Sequence, residues 1–281
     1  MIVSCCINGE IVPGTQASIP VSDLGLLRGY AIFDFCRTAH GKPFLLEKHL
    51  VRFRRSAALM ELPLNYTDEE ITKLVYDTLE HSGLQEAGIR LLLTGGFTPD
   101  SFTFTEPTLI ITAEHLALAP EKEVQTGVKL MSHTYLREMA EIKTTNYSEA
   151  LRLRHQVKGQ QAYDILYHHN GHILELTRSN FFIVKGQTII TPSDHILKGI
   201  TRRTVLDLAA TVYKVEERAV LWHELAEADE AFLTGTNKRL VPVAKVDDQQ
   251  IGTGKPGKVT LHVYQLFREF EKNYQPGYSF A

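Results

Sequence analysis

The heptapeptide Glu141-Ile142-Lys143-Thr144-Thr145-Asn146-Tyr147 carries a lysine, and farther along Glu175-Leu176-Thr177-Arg178-Ser179-Asn180 runs into the apolar Phe181-Phe182-Ile183-Val184. A lysine ahead of a strand-edge carboxylate and a Ser-Asn turn sets an amine nucleophile beside an acid. To attack a carbonyl, that amine must be partly desolvated so that it is neutral near pH ~7. A carboxylate such as Glu175, facing the nitrogen of a bound pyridine ring, would keep that nitrogen protonated and make the ring an electron sink. The plainer roles are a solvated surface charge for Lys143 and an ion pair with Arg178 or another base for Glu175.

Three further segments have the chemistry of anion sites. Lys198-Gly199-Ile200-Thr201-Arg202-Arg203 opens a helix, so the amides of Ile200 and Thr201 lie at its positive end, although Thr201 could also be an ordinary N-cap. Phe232-Leu233-Thr234-Gly235-Thr236-Asn237 reads as a strand ending in a hydroxyl-rich glycine turn, which lets backbone approach a phosphate closely. Arg52 has a fork suited to a phosphate, or belongs to a solvated basic face with Arg54 and Arg55. Arg90, in the apolar run Ile89-Arg90-Leu91-Leu92-Leu93, needs a partner, and a substrate carboxylate would serve.

The elements that must position these groups follow from turn chemistry and periodicity. Asn8-Gly9, Asn170-Gly171 and Gly186-Gln187 predict three hairpins. Helical spacing predicts helices over 47–62, over 68–82 behind the capping box Thr67/Glu70, and over 146–158, 201–213, 222–226 and 258–274. Apolar runs predict strands at 89–94, 108–113 and 128–135. The segment around Pro120 has neither period, which places an interdomain linker at 116–124 between a small N-terminal α/β domain, 1–115, and a larger sheet-rich domain, 125–281. The fold class is thus α/β (α+β), in two domains.

Composition narrows the partners. With 30 Lys+Arg against 33 Asp+Glu and a formal net charge of -3, the 281-residue chain has no basic surplus for nucleic acid or a membrane surface. A small molecule is the expected partner. Cys5, Cys6 and Cys36 match neither a disulfide framework nor a metal spacing, and no metal is expected; they read as reduced thiols of a cytoplasmic protein. No apolar run reaches membrane-spanning length, and the N-terminus does not read as a processed leader.

The order of these segments is what is specific. Asp23-Leu24-Gly25-Leu26-Leu27-Arg28-Gly29-Tyr30-Ala31-Ile32-Phe33-Asp34, His49 through Arg52, Lys143 with Asn146-Tyr147, Glu175 through Asn180, Ile196 through Arg202 and the Thr234-Gly235-Thr236 turn together resemble class IV (fold-type IV) pyridoxal-phosphate-dependent aminotransferases. The likeness spans 23–243. That family includes branched-chain and D-amino-acid aminotransferases and aminodeoxychorismate lyases.

The resemblance implies a homodimer that binds pyridoxal 5'-phosphate between its domains and transfers an amino group from an amino acid to a 2-oxo acid such as 2-oxoglutarate. By position, it implies that Lys143 holds the cofactor as a Schiff base and shuttles the proton. Glu175 then faces the pyridine nitrogen, and Tyr147, Ser179 and Asn180 contact the cofactor. Arg52, Gly199, Ile200, Thr201 and Thr236 match the phosphate cup. Arg28, Phe33, Arg90 and Asn237 fall on the substrate side.

The D-amino-acid group has arginine at the place of Gly95 and a nearby Arg-x-His, both missing here, so an L-amino acid with an apolar or branched side chain is favoured. Arg28 and Phe35 depart from the branched-chain pattern too, and Arg28, Arg37 and Lys238 could read a second acidic group or make interface salt bridges. A lyase, a D-specific transaminase and a non-catalytic pyridoxal-phosphate binder are the alternatives. Retention of both Lys143 and Glu175 weighs against the last, because binding alone needs no proton shuttle.

Overall fold

The computed structural model describes residues 1–276. Its chain opens with β1 (Ile2–Ile7) and β2 (Glu10–Pro13), joined at Asn8 and Gly9, both at positive φ as the Asn-Gly signal requires. There follow α1 (Leu24–Arg28), β3 (Ala31–Ala39), β4 (Lys42–Pro43), α2 (Leu46–Leu59), α3 (Asp68–Ser82), β5 (Ala87–Thr94) and β6 (Thr108–His115). These strands form one sheet in the order β2-β1-β6-β5-β3-β4. The expected capping box is present: Thr67 Oγ1 accepts from Glu70 N at 3.1 Å and Glu70 Oε2 from Thr67 N at 2.7 Å. Phe53 and Ala57 of α2 and Ile71 and Val75 of α3 pack with Ile89, Leu91 and Ile111 of the sheet.

The segment expected to be a plain linker holds a short helix, α4 (Glu121–Thr126), because Pro120 sits at its N-cap, where the missing N–H costs nothing. Beyond it come β7 (Val128–Thr134), α5 (Ser148–Arg152), α6 (Arg154–Gly159), β8 (Asp164–His169), β9 (His172–Leu176), β10 (Asn180–Lys185), β11 (Thr188–Thr191), α7 (Ile200–Ala209), β12 (Lys214–Glu217), β13 (Val220–Leu221), α8 (Glu224–Glu227), β14 (Glu230–Gly235), β15 (Arg239–Val246), β16 (Gln249–Gln250) and α9 (Lys258–Lys272). The helix expected over 146–158 is therefore two, broken where Leu153 turns into the core beside Met131, Ile165 and Tyr167.

The second sheet runs β12-β11-β10-β14-β15-β7-β8-β9-β13, and β9 also pairs with β10. That extra pairing closes β10-β14-β15-β7-β8-β9 into a barrel filled by Leu130, Leu166, Phe181, Leu233 and Val241. Its seam is a single residue pair, Asn180 against Glu175. The hairpin fold thus places the predicted acid at the point of closure.

Candidate active site

Lys143 is set by the first sheet, not the second. Its carbonyl accepts from Phe33 N at 2.8 Å, Thr145 N donates to Ala31 O at 3.2 Å, and Thr144 bridges Ile32, so the lysine strand lies along β3. The ammonium sits 4.6 Å from the centre of the Phe33 ring and makes no ion pair among the described residues. Burial is the main cause of a pKa lowered to about 7; Arg52 and Arg137 push the same way, and Asp34 and Glu175 oppose. Lys143 is a half-buried residue that lines a cavity.

Glu175 is buried, and Oε1 accepts from Arg137 Nε at 2.9 Å while Oε2 accepts from Leu197 N at 3.1 Å and Asn180 Nδ2 at 3.5 Å. Its partner is Arg137, which the sequence does not single out, and not the neighbouring Arg178. Burial raises its pKa, with the Arg137 charge opposing. Asn180 Nδ2 also donates to Leu197 O at 2.7 Å, and a Cβ on Gly199 would stand 2.3 Å from Asn180 Oδ1, so glycine is required for that packing.

Arg52 is no part of a solvated face. Nε and Nη2 each reach the carboxylate of the fully buried Asp34 at 2.8 Å, and His49 Nδ1 lies 2.7 Å from the same carboxylate. Burial alone would push the Asp34 carboxyl up; Arg52 and His49 outweigh it and hold it far below the usual carboxylate range. The two arginines grouped with Arg52 bind elsewhere, Arg54 to Asp68 and Arg55 to Glu141.

Arg52, Lys143 and Glu175 line one cavity, which the start of α7 also borders; that helix begins without a side-chain cap, its amides at Ile200 and Thr201 open beside Thr236. Thr201 is therefore not the N-cap; Gly199 is. Two buried hydroxyls of the cavity lining, Ser179 Oγ and Thr234 Oγ1, have no hydrogen-bond partner among the described residues. An adjoining cavity of about 730 Å³ shares Lys143, Tyr147, Arg178 and Thr236 with the first and is walled by Phe33, Phe35, Leu92, Leu118 and Tyr163.

Arg90 and Asn237 line this second cavity, but Arg90 already pairs with Glu114 at 3.3 Å and lies over Phe33 and Phe35. Lys238 pairs with Asp164 at 2.7 Å. Arg28 is exposed at the end of α1, donates to Ser101 O at 3.1 Å, and lines neither cavity. Arg37 is 2% exposed and binds Glu271 of its own chain, and it lines neither of these two cavities. Arg178, which the sequence offers only as an ion-pair partner for Glu175, borders both cavities and has no hydrogen bond or ion pair among the described residues. Its only signal is its place inside the Glu175-to-Asn180 turn.

A family model described as amino-transferase class IV matches residues 31–246. The chain belongs to the class IV aminotransferases. D-alanine aminotransferase of Bacillus licheniformis is 29% identical over 262 residues, covering 91% of this chain and 93% of that protein. A putative branched-chain-amino-acid aminotransferase of Methanocaldococcus jannaschii is 30% identical over 275 residues, with 94% of each covered. The fold matches the branched-chain amino acid aminotransferase of Escherichia coli with a TM-score of 0.89 at 25% identity over 99% of this chain and 98% of that one. It also matches the branched-chain enzyme of Thermobaculum terrenum, solved in its PLP-bound holo form, with a TM-score of 0.85 at 25% identity over 96% and 94%.

As a class IV aminotransferase the protein is a pyridoxal-phosphate-dependent transaminase. Its residues fit that cofactor: an uncapped helix N-terminus and two buried hydroxyls without a partner among the described residues offer donors to a phosphate, and a buried carboxylate, Glu175, lines the same cavity. No helix among the described residues is long and apolar enough to cross a membrane.

Proposed function

We propose that the enzyme moves an amino group between an apolar amino acid and a 2-oxo acid such as 2-oxoglutarate, with Lys143 as its reactive amine. The observation that carries this reading is an amine with a pKa of about 7 held between a buried carboxylate and a cavity lined with anion donors. When bound, pyridoxal 5'-phosphate supplies an aldehyde that condenses with an amine and a ring that accepts the electron pair released at the substrate Cα. Lys143 takes up and returns the Cα proton, for which a pKa near neutrality is best matched. Glu175, fixed at both oxygens, keeps the ring nitrogen protonated. Arg52, Gly199, Ile200, Thr201 and Thr236 hold the phosphate, with Ser179 adding its free hydroxyl and Asn180 keeping Glu175 in place. Tyr147 flanks Lys143 on the cavity wall.

Arg178 completes this reading as the group that meets the substrate carboxylate, since Arg90 and Lys238 have carboxylate partners of their own. Arg178→Ala is expected to raise the KM for both amino acid and oxo acid by about tenfold or more, as for a lost charge-assisted hydrogen bond. An unchanged KM would remove Arg178 from the substrate site.

The pKa of Lys143 has a measurable consequence. The neutral amine increases as pH rises through about 7, so the cofactor-free protein should capture pyridoxal 5'-phosphate faster as the pH crosses that value and level off above it. A rate still climbing toward the ordinary lysine range, ~pH 10, would show that Lys143 is not desolvated.

We favour an L-amino acid donor. Gly95 supports this: a Cβ there would stand 2.8 Å from the Tyr30 ring, so the D-type arginine has no room in this backbone. A D-amino-acid reading draws on the similarity to the Bacillus licheniformis D-alanine enzyme. Racemic donors with 2-oxoglutarate, followed by chiral analysis, decide between them: loss of the L-isomer supports the first, and exclusive use of D-alanine overturns it. Pyruvate release from aminodeoxychorismate without an acceptor would make the protein a lyase, and cofactor binding without turnover would make it a carrier.

We also propose residues 1–115 and 125–281 as the domains and a homodimer as the working state. The exposed Leu26, Leu27, Phe97 and Phe102 around Arg28 support an association face. A solution mass of a single chain would refute the dimer. Three free, buried thiols are in keeping with the cytoplasm, and cell fractionation tests that placement.

A further inference from the structure

The turn after β14 is held from the opposite sheet. Arg37 Nε, from β3, donates to Thr236 O at 3.0 Å, and Thr236 Oγ1 donates to Phe35 O at 3.4 Å. The rest of the Arg37 guanidinium is engaged too: Nη1 donates to Thr38 O at 3.1 Å, Nη2 binds Glu271, and the Phe44 ring lies 4.9 Å away. Glu271, on α9, accepts also from Arg239 Nε at 2.9 Å and pairs with Arg268 at 3.3 Å. Arg239 opens β15 on the other limb of the same turn. One buried carboxylate therefore gathers cations from β3, β15 and α9, and one of them reaches the turn's backbone.

The turn packs closely on the segment that carries Ser179: a Cβ added to Gly235 would stand 3.1 Å from Ser179 Oγ and 3.3 Å from Arg178 O.

We propose that Arg37 is a positioning residue: through the Thr236 carbonyl it sets the Thr234-Gly235-Thr236 turn against the cofactor cavity, and Glu271 in turn sets Arg37. The assignment rests on the reading of Thr236 as part of the phosphate cup. A guanidinium is needed because only a planar fork donates to Thr236, Thr38 and Glu271 at once; a lysine is a single point charge.

The test compares pyridoxal 5'-phosphate with pyridoxal, which lacks the phosphate, as ligands of the cofactor-stripped full chain. Arg37→Gln should weaken pyridoxal 5'-phosphate by about tenfold or more, and Arg37→Lys nearly as much, with pyridoxal changed by less than about threefold. Glu271→Gln, which keeps the shape of α9, should show the same phosphate-selective loss on a smaller scale, and it carries the test if the Arg37 variants do not fold. Equal losses for both ligands would reduce Arg37 to a general support of the fold and overturn the proposal, as would unchanged affinity for both. A wild-type chain that binds neither ligand would instead overturn the cofactor reading of the cavity, and the proposal with it.

Discussion

Replacing Lys143 by alanine should lower transamination by about 10³-fold or more, since it removes both the nucleophile and the proton carrier, and general acid–base catalysis alone contributes about 10²–10⁴-fold. Lys238, the other lysine on the wall of the cleft, cannot substitute, because it is held by Asp164 at 2.7 Å and lies over Tyr163. The variant should remain folded: among the described residues the Lys143 ammonium makes no ion pair, and its burial is a cost to the native chain rather than a support. Pyridoxal 5'-phosphate should still bind through its phosphate and ring contacts. Steady-state rates and melting temperature of the same preparation check both halves; turnover within about tenfold of wild type would contradict the assignment.

Asp34→Asn should be the most damaging single change away from the reacting atoms. Asp34 is fully buried, and its charge is balanced by Arg52, itself mostly buried, with His49 sharing one oxygen. Removing one partner of such a pair costs about 3–5 kcal/mol, which lowers Tm by on the order of 10 °C in a chain of this size. Because the folded-state pKa of Asp34 is depressed, its stabilisation is complete above the ordinary carboxylate range, ~pH 4, and is lost as the pH falls through the lower folded-state value. The deficit of Asp34→Asn should thus stay constant from about pH 5 to 9 and shrink only in acid. Arg52, no longer fixed at two nitrogens, should also hold phosphate less well. Melting curves across pH test the first claim and cofactor titration the second; a Tm loss under about 2 °C would mean that Arg52 does not depend on Asp34.

The local signals in the chain are reliable where local physics decides the outcome. Asn8-Gly9 forms its hairpin because both positions accept positive φ, and Thr67/Glu70 caps its helix because both bonds lie within four residues. The grouping of the candidate residues is legible through order: Lys143, Glu175, the start of α7 and Thr236 border one cavity. What escapes is long-range. β3 is buried on both faces and carries Asp34 and Arg37 among apolar residues, so it shows no alternation. Its charges find partners from α2 and α9, at His49, Arg52 and Glu271. Arg137 follows β7 and Glu175 lies on β9, so it is the order of strands in the sheet that brings them together. Arg178, nearer in sequence, has no carboxylate partner among the described residues. The break at Leu153 follows from what that leucine packs against, which helical spacing does not encode.

The central claim, that Lys143 is the amine joined to the cofactor, is tested most directly by borohydride reduction of the holoenzyme followed by peptide mapping. The expected result is the fixed cofactor mass on the peptide at Lys143 alone. Its recovery on Lys198 or Lys238, with Lys143 unmodified, would contradict the claim.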